Sequence, residues 1–420
     1  MPPTLRPMLS RLPHRAFGAL AGQVSLALSS FTLQVIASRE LGADGFGTYA
    51  LLFGAIVMAT ALTTGLLGDS LTVLDRHDPA VRVALVRLAA ILVVVLALTG
   101  FGFARTAISP AAAAFFAIAL AAFVAADLGR RLLMANLRFW SLVLIDSAGF
   151  VAMLSVVVVF GRTGPLTLAH FLAALATGQI VAAVLAVTRL PAAERRLRLR
   201  GRGDYRAVVA YGSWRALQQF VRPTMLNGAR AVVLIVGGVA AVGELEVARV
   251  FVSPAMLLVQ GFGSYLFSSY AADRAKGSRT LLRRADRAAA VMLTGAVIVA
   301  GAAALLLPYV GPLLTAGRFE IGLVATLGWA CYAASCAAVL PYGSLAAVQG
   351  RQQWVLVIRL VDSVLALSLA AVMLIGFGAA TEIAPWLLSI GSFVGGLLCR
   401  QLLLRPRVRD ETTTPVQVAV

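Results

Sequence analysis

The chain has 420 residues, 60% hydrophobic and 13% charged, with 36 Lys and Arg against 18 Asp and Glu for a net charge of +18. Charges this sparse cannot cover the surface of a soluble protein of that length. The cations form no basic stripe interleaved with aromatics, which excludes a nucleic-acid binder. Period-2 alternation is absent, which excludes a transmembrane β-barrel.

The predicted elements are helical spans. The basic N-terminus, MPPTLRPMLSRLPHRAF, has no small-residue cleavage site after its apolar stretch, so that stretch reads as a first span and not as a signal peptide. Spans follow at roughly 16–38, 46–73, 83–104, 109–130, 140–160 and 165–188, then at 208–237, 244–270, 288–309, 319–349, 354–376 and 382–403. Each is close to or above the ~20 residues needed to cross a bilayer core. Pro341 predicts a kink or tilt in the long tenth span. The expected fold is all-α and polytopic, with about 12 transmembrane helices in two pseudo-symmetric six-helix lobes.

Lys and Arg set the orientation. With the N-terminus cytoplasmic, the inner connections hold 26 of them and the outer ones 4: Arg39, Arg105, Arg162 and Arg318. The opposite assignment breaks the positive-inside rule, so both termini are expected on the cytoplasmic side of the cell membrane. The longest basic connection, residues 188–206, separates an N-terminal lobe (1–206) from a C-terminal lobe (207–420). Sliding the second half back by 198 positions aligns Gly45 with Gly243, Gly65 with Gly263, and Asp75-Arg76 with Asp273-Arg274. LIDS at 144–147 echoes LVDS at 360–363. Both halves start and end inside, as parallel repeats do. The tail ETTTPVQVAV is polar and reads as disordered.

Catalytic and cofactor signatures are missing. No G-x-x-x-x-G-K-[ST] and no H-E-x-x-H occurs, and Cys331, Cys336 and Cys399 lie in apolar segments without metal spacing. His170 reads as a satisfied histidine more readily than as a proton relay. The expectation is no enzyme, no catalytic residue, no cofactor and no metal.

The seventh span carries the chemistry. It reads YGSWRALQQFVRPTMLNGARAVVLIVGG and holds Arg215, Gln219, Arg222 and Arg230. At about 100° per residue these four fall within an arc of about 80°, with Arg222 and Arg230 about 12 Å apart along the axis. An arginine at the bilayer centre costs about 2.5–3.5 kcal/mol on insertion scales. Two readings stand. The cations pair with carboxylates, of which Asp69, Asp127, Asp146 and Asp362 are candidates, although Arg130, Arg131 and Arg359 compete for several of these. Alternatively they line a water-filled cavity that receives an anion, since the guanidinium fork suits phosphate. Pro223 provides a bend beside Arg222. Asp146 and Asp362, in the echoed motif, are candidates for ion coupling.

The segment ASRELGADGFGTYALLFGAIV (37–57) contains R-x-L-G-x-x-x-F-G-x-Y as Arg39, Leu41, Gly42, Phe46, Gly47 and Tyr49. It resembles the polysaccharide transporter branch, similar to O-antigen-unit flippases, of the multidrug/oligosaccharidyl-lipid/polysaccharide flippase superfamily. The resemblance implies export of an undecaprenyl-pyrophosphate-linked glycan by alternating access. It further implies polyprenyl-pyrophosphate saccharide and membrane lipid as partners, together with other envelope polysaccharide assembly proteins, and no nucleic acid. Arg222, Arg230, Arg215 and Gln219 would then hold the pyrophosphate. The alternative is a secondary transporter of another substrate, either a drug-type antiporter or a major-facilitator-like protein. For the latter the loops carry Asp75-Arg76 and Asp273-Arg274 but lack the flanking glycines of its G-x-x-x-D-R-x-G-R motif.

Overall fold

The computed structural model describes residues 12–195, 200–272 and 277–406. The Asp273-Arg274 pair and the polar tail lie outside the described residues. Regular structure among the described residues is entirely helical. The helices are α1 (Leu12–Thr63), α2 (Pro79–Ala104), α3 (Pro110–Ala135), α4 (Phe139–Thr163) and α5 (Leu168–Arg189), followed by α6 (Tyr205–Ala272), α7 (Ser278–Thr315), α8 (Leu323–Val348), α9 (Gln352–Ala371) and α10 (Ala384–Leu398). The segment α1 continues through a π-helical turn, Thr64–Gly68, into a last turn Asp69–Val73. Among the described residues ten helices are long and apolar enough to cross a membrane, and the chain is a multi-pass membrane protein.

Ten helices supply twelve spans because α1 and α6 are each double. Both are helical throughout except at one glycine: Gly42 (φ 68°, ψ −176°) and Gly238 (φ 76°, ψ −173°). That backbone region is open only to glycine. Each break folds one span directly into the next with no polar loop between. This is the physical content of the L-G pair in the 39–49 motif: Gly42 makes the corner.

The second glycine of the motif has a different task. A Cβ on Gly47 would lie 2.1 Å from the carbonyl oxygen of Val239, and one on Gly243 would lie 2.0 Å from that of Ala43. The two helix starts therefore cross backbone to backbone. Gly42 to Gly238 and Gly47 to Gly243 are both 196 residues apart, so the structural register of the repeat is 196 and not the 198 read from side-chain identities. The 198-residue slide set Gly243 against Gly45, whereas the structure sets it against Gly47, so a chance glycine match two residues away carried the wrong register.

Two compact units contain these elements. The first comprises residues up to Leu41 and Tyr49–Thr224; the second comprises Gly42–Thr48 and Met225 onwards. Within the first, α3 packs on α2 and α5, and α5 on α4. Within the second, α8 packs on α7 and α10, and α9 on α10. Helix starts are set locally. Asp78 caps α2 by accepting from the amides of Ala80 and Val81, with Pro79 first in the helix. Ser109 and Pro110 repeat the arrangement on α3. His170 is spent on such a cap: its Nδ1 accepts from the Thr167 amide at 3.2 Å, and its ring stacks on Phe160 at 4.3 Å.

Candidate functional site

The arginine stripe of the seventh span lies on the first half of α6. Arg215 is half-buried in the first unit, where its Nε donates to Asp69 at 2.8 Å and its NH1 to the Gln218 side chain at 2.6 Å. Asp69 follows directly on the π-helical turn. One turn earlier, the Thr64 hydroxyl donates to Asp127 at 2.7 Å, and Arg131 reaches the same carboxylate at 3.5 Å. Insertions of this kind re-aim side chains and recur at functional sites. Here the turn gathers Thr64, Asp69, Asp127, Arg131 and Arg215 into one polar patch. Gln219 is half-buried and Arg222 is exposed.

Arg230 belongs to the second unit and is 7% exposed. It clamps Glu246 with both arms of its fork, Nε to Oε1 at 2.8 Å and NH2 to Oε2 at 3.0 Å, while NH1 donates to Asn227 at 2.8 Å. Glu246 is 2% exposed and also accepts from Arg249 at 2.6 Å. Arg230 and Glu246 each lie eight residues from Gly238. The corner folds the chain back on itself, so residues equidistant from it face each other about 12 Å along the helices. This partner was missed from sequence because aspartates in other spans were weighed. The available signal was an opposite-charge pair placed symmetrically about a glycine corner.

The candidate coupling residues lie one in each unit. Asp146 on α4 is buried and paired with Arg130. Asp362 on α9 is buried and its Oδ1 accepts from the Ser363 hydroxyl at 3.1 Å. Its Oδ2 has no hydrogen-bond partner and fills the notch left by Gly395 of α10, where a Cβ would lie 1.9 Å away. A cavity of about 350 Å³ opens in the second unit beside the start of the eighth span, lined by Ala241, Glu244, Leu245, Glu320, Gly322 and Glu382. Among the described residues no group of His, Cys, Asp and Glu has the arrangement of a metal site.

No protein-family model and no curated protein matches the chain. Solved structures do. A multidrug resistance MATE family transporter of the MOP superfamily in its inward-facing conformation superposes with a TM-score of 0.73, at 15% identity over 93% of this chain and 96% of that one. An outward-facing conformation of such a transporter gives 0.63 at 16% identity, covering 94% and 96%. The chain has a MATE-like transporter fold. A MOP superfamily transporter from Pyrococcus furiosus, described as having a binding pocket of reversed polarity, gives 0.61 at 13% identity over 95% of each chain. The MATE-like fold accounts for the twelve spans and the two-lobe arrangement. At these identities the likeness is one of fold alone.

Proposed function

We propose that this protein is a secondary transporter that works by alternating access and carries small organic molecules of the drug type. One observation separates this reading from the glycan reading: Arg215 and Arg230, two of the three cations in the seventh-span stripe, are neutralised by Asp69 and Glu246. Arg230 has both arms of its fork on Glu246, and Arg215 gives one bond to Asp69 and one to Gln218, so neither is a ready-made phosphate clamp. The similar solved structures add support, since they include multidrug resistance transporters in inward-facing and outward-facing conformations. No ATP-binding motif occurs in the sequence, so the cycle would draw on an ion gradient, the membrane potential or downstream consumption of the product. Asp146 and Asp362 remain the candidates for the coupled ion.

A second reading retains support from particular residues. The Arg39–Tyr49 motif resembles the polysaccharide branch, and Arg222 is exposed on the stripe with Gln219 one turn before it. On that reading an undecaprenyl-pyrophosphate-linked glycan is the substrate, and envelope polysaccharide assembly proteins are partners. Purified protein tests the two together. Binding of ethidium, unchanged in Arg222→Ala, supports the drug-type reading. Binding of the pyrophosphate-linked saccharide, lost in Arg222→Ala, replaces it with the glycan reading.

A further inference from the structure

Helix α7 opens with SRTLLRRADRAAA, residues 278–290, four of them arginines. Its apolar side chains Leu281, Leu282, Ala285 and Ala289 are buried in the second unit. Two of its polar side chains turn the same way. Arg284 donates to the Ser269 hydroxyl at 2.6 Å, and Asp286 accepts from Arg400 at 2.8 and 3.0 Å and from the Tyr342 hydroxyl at 2.9 Å. Arg279, Arg283 and Arg287 do not. They stand four residues apart, all three are exposed, and none is paired with a carboxylate among the described residues. The acid nearest to them on the helix, Asp286, is committed to Arg400. Like charges four residues apart on a helix repel, so the stripe lacks an anion.

The same face fixes where the stripe sits in a membrane. Val291, Ile298, Leu305 and Tyr309 are exposed in turn further along α7. At about 100° per residue, Arg287 and these four fall within an arc of about 40°. From Val291 to Tyr309 the helix rises about 27 Å, close to the ~30 Å of a hydrocarbon core. In that register Tyr309 lies at one interface, where aromatic rings collect, and Arg287 lies one turn outside the other. Arg283 and Arg279 follow in steps of about 6 Å, through the headgroup layer and the range of its surface charge.

The equivalent helix of the first unit, α2, has its cations engaged by the protein. Arg82 donates to the Ala193 carbonyl at 2.7 Å and Arg87 to the Tyr205 hydroxyl at 3.0 Å. The connection before α6 lies on the start of α2, with the Asp204 amide donating to the Ala80 carbonyl at 3.0 Å. A basic helix start is thus covered in one unit and open in the other.

We propose that the Arg279–Arg283–Arg287 stripe is a docking site for anionic phospholipid headgroups of the leaflet at which α7 starts, the cytoplasmic one on the positive-inside reading. A phosphodiester offers paired oxygens to the guanidinium fork. The acyl chains lie along Val291, Ile298 and Leu305 of the same face. The site is independent of which molecule the protein transports.

The test uses full-length protein in a neutral detergent, titrated with dioleoyl phosphatidylglycerol or dioleoyl phosphatidylcholine and read by native mass spectrometry. A stripe variant, Arg279→Gln with Arg283→Gln and Arg287→Gln, is compared with a control that loses the same charge from exposed positions elsewhere, Arg105→Gln with Arg162→Gln and Arg318→Gln. An arginine at an anionic membrane surface contributes about a fivefold gain in affinity. Wild type and control should therefore prefer phosphatidylglycerol at least about tenfold, and the stripe variant should show a preference below about twofold. No preference in wild type, an unchanged preference in the stripe variant, or an equal loss in the control overturns the site. Displacement of the lipid by inorganic phosphate at the lipid's own concentration makes the stripe a free-anion site and overturns it too.

Discussion

The two double helices, α1 and α6, share one backbone plan and differ in what they bury. Both turn at a glycine, and both place a second glycine five residues on for the same close crossing. In the structural register of 196, Arg230, Glu246 and Arg249 of the second half correspond to Gln34, Ala50 and Phe53 of the first. Gln34 turns its amide inward on its own helix, to the Ser30 hydroxyl at 3.0 Å, and Phe53 stacks with Tyr49 and meets Phe123 edge-on. The comparison teaches that the corner is held by backbone geometry in both halves, while the seam below it is uncharged in one and ionic in the other.

The largest effect follows from breaking the ionic seam at its centre. Glu246→Ala leaves Arg230 buried without its partner, which destabilises by about 3–5 kcal/mol. A clear fall in thermal unfolding temperature in detergent checks it. Copying the first half, with Arg230→Gln, Glu246→Ala and Arg249→Phe together, removes the stranded charges and recovers most of that loss. A triple variant no more stable than Glu246→Ala would show that the two seams are not interchangeable.

Next in size is the corner itself. Gly238→Ala and Gly42→Ala force a side chain into a glycine-only conformation, at about 1–3 kcal/mol each. Because the backbone plan is shared, the two should cost about the same; a twofold or greater disparity in the measured loss would break the equivalence of the corners. The smallest effect is at Arg215. Its pair with Asp69 is partly buried, with side-chain exposures of 31% and 14% against 9% and 2% for Arg230 and Glu246, so Arg215→Ala costs less than Glu246→Ala, about 1–2 kcal/mol. The same unfolding assay, run beside Glu246→Ala, measures how much burial separates the two ion pairs of one helix.

Much of the fold was legible. Long apolar runs mark spans whatever their tertiary neighbours, and the twelve expected spans are present as ten helices, two of them double. The mergers were not legible because a single glycine corner leaves no polar loop for a composition scan to find. Arg39-Glu40 and Asp44 were enough to suggest a turn, but not that the helix resumes on the very next residue. Asp69 is among the candidate partners of the seventh-span arginines, and Arg130 and Arg131 are named as competitors for several of the candidates; which carboxylate each takes, Asp146 for Arg130 and Asp127 for Arg131, comes only from the structure. The partner of Arg230 was missed because its proximity is a consequence of the fold-back at Gly238, not of helical spacing. The π-helical turn at Thr64–Gly68 was equally hidden: TGLLG carries no residue that marks an inserted position.

The central claim is transport of a small organic molecule by a fold in which the seventh-span cations are largely neutralised. Gradient-driven ethidium flux into proteoliposomes, measured for wild type and Arg222→Ala side by side, tests it most directly. The account predicts saturable flux in wild type, retained within about twofold in Arg222→Ala, since a change that small corresponds to only about 0.4 kcal/mol. No flux in wild type, together with Arg222-dependent binding of a polyprenyl-pyrophosphate saccharide by the same preparation, would contradict it.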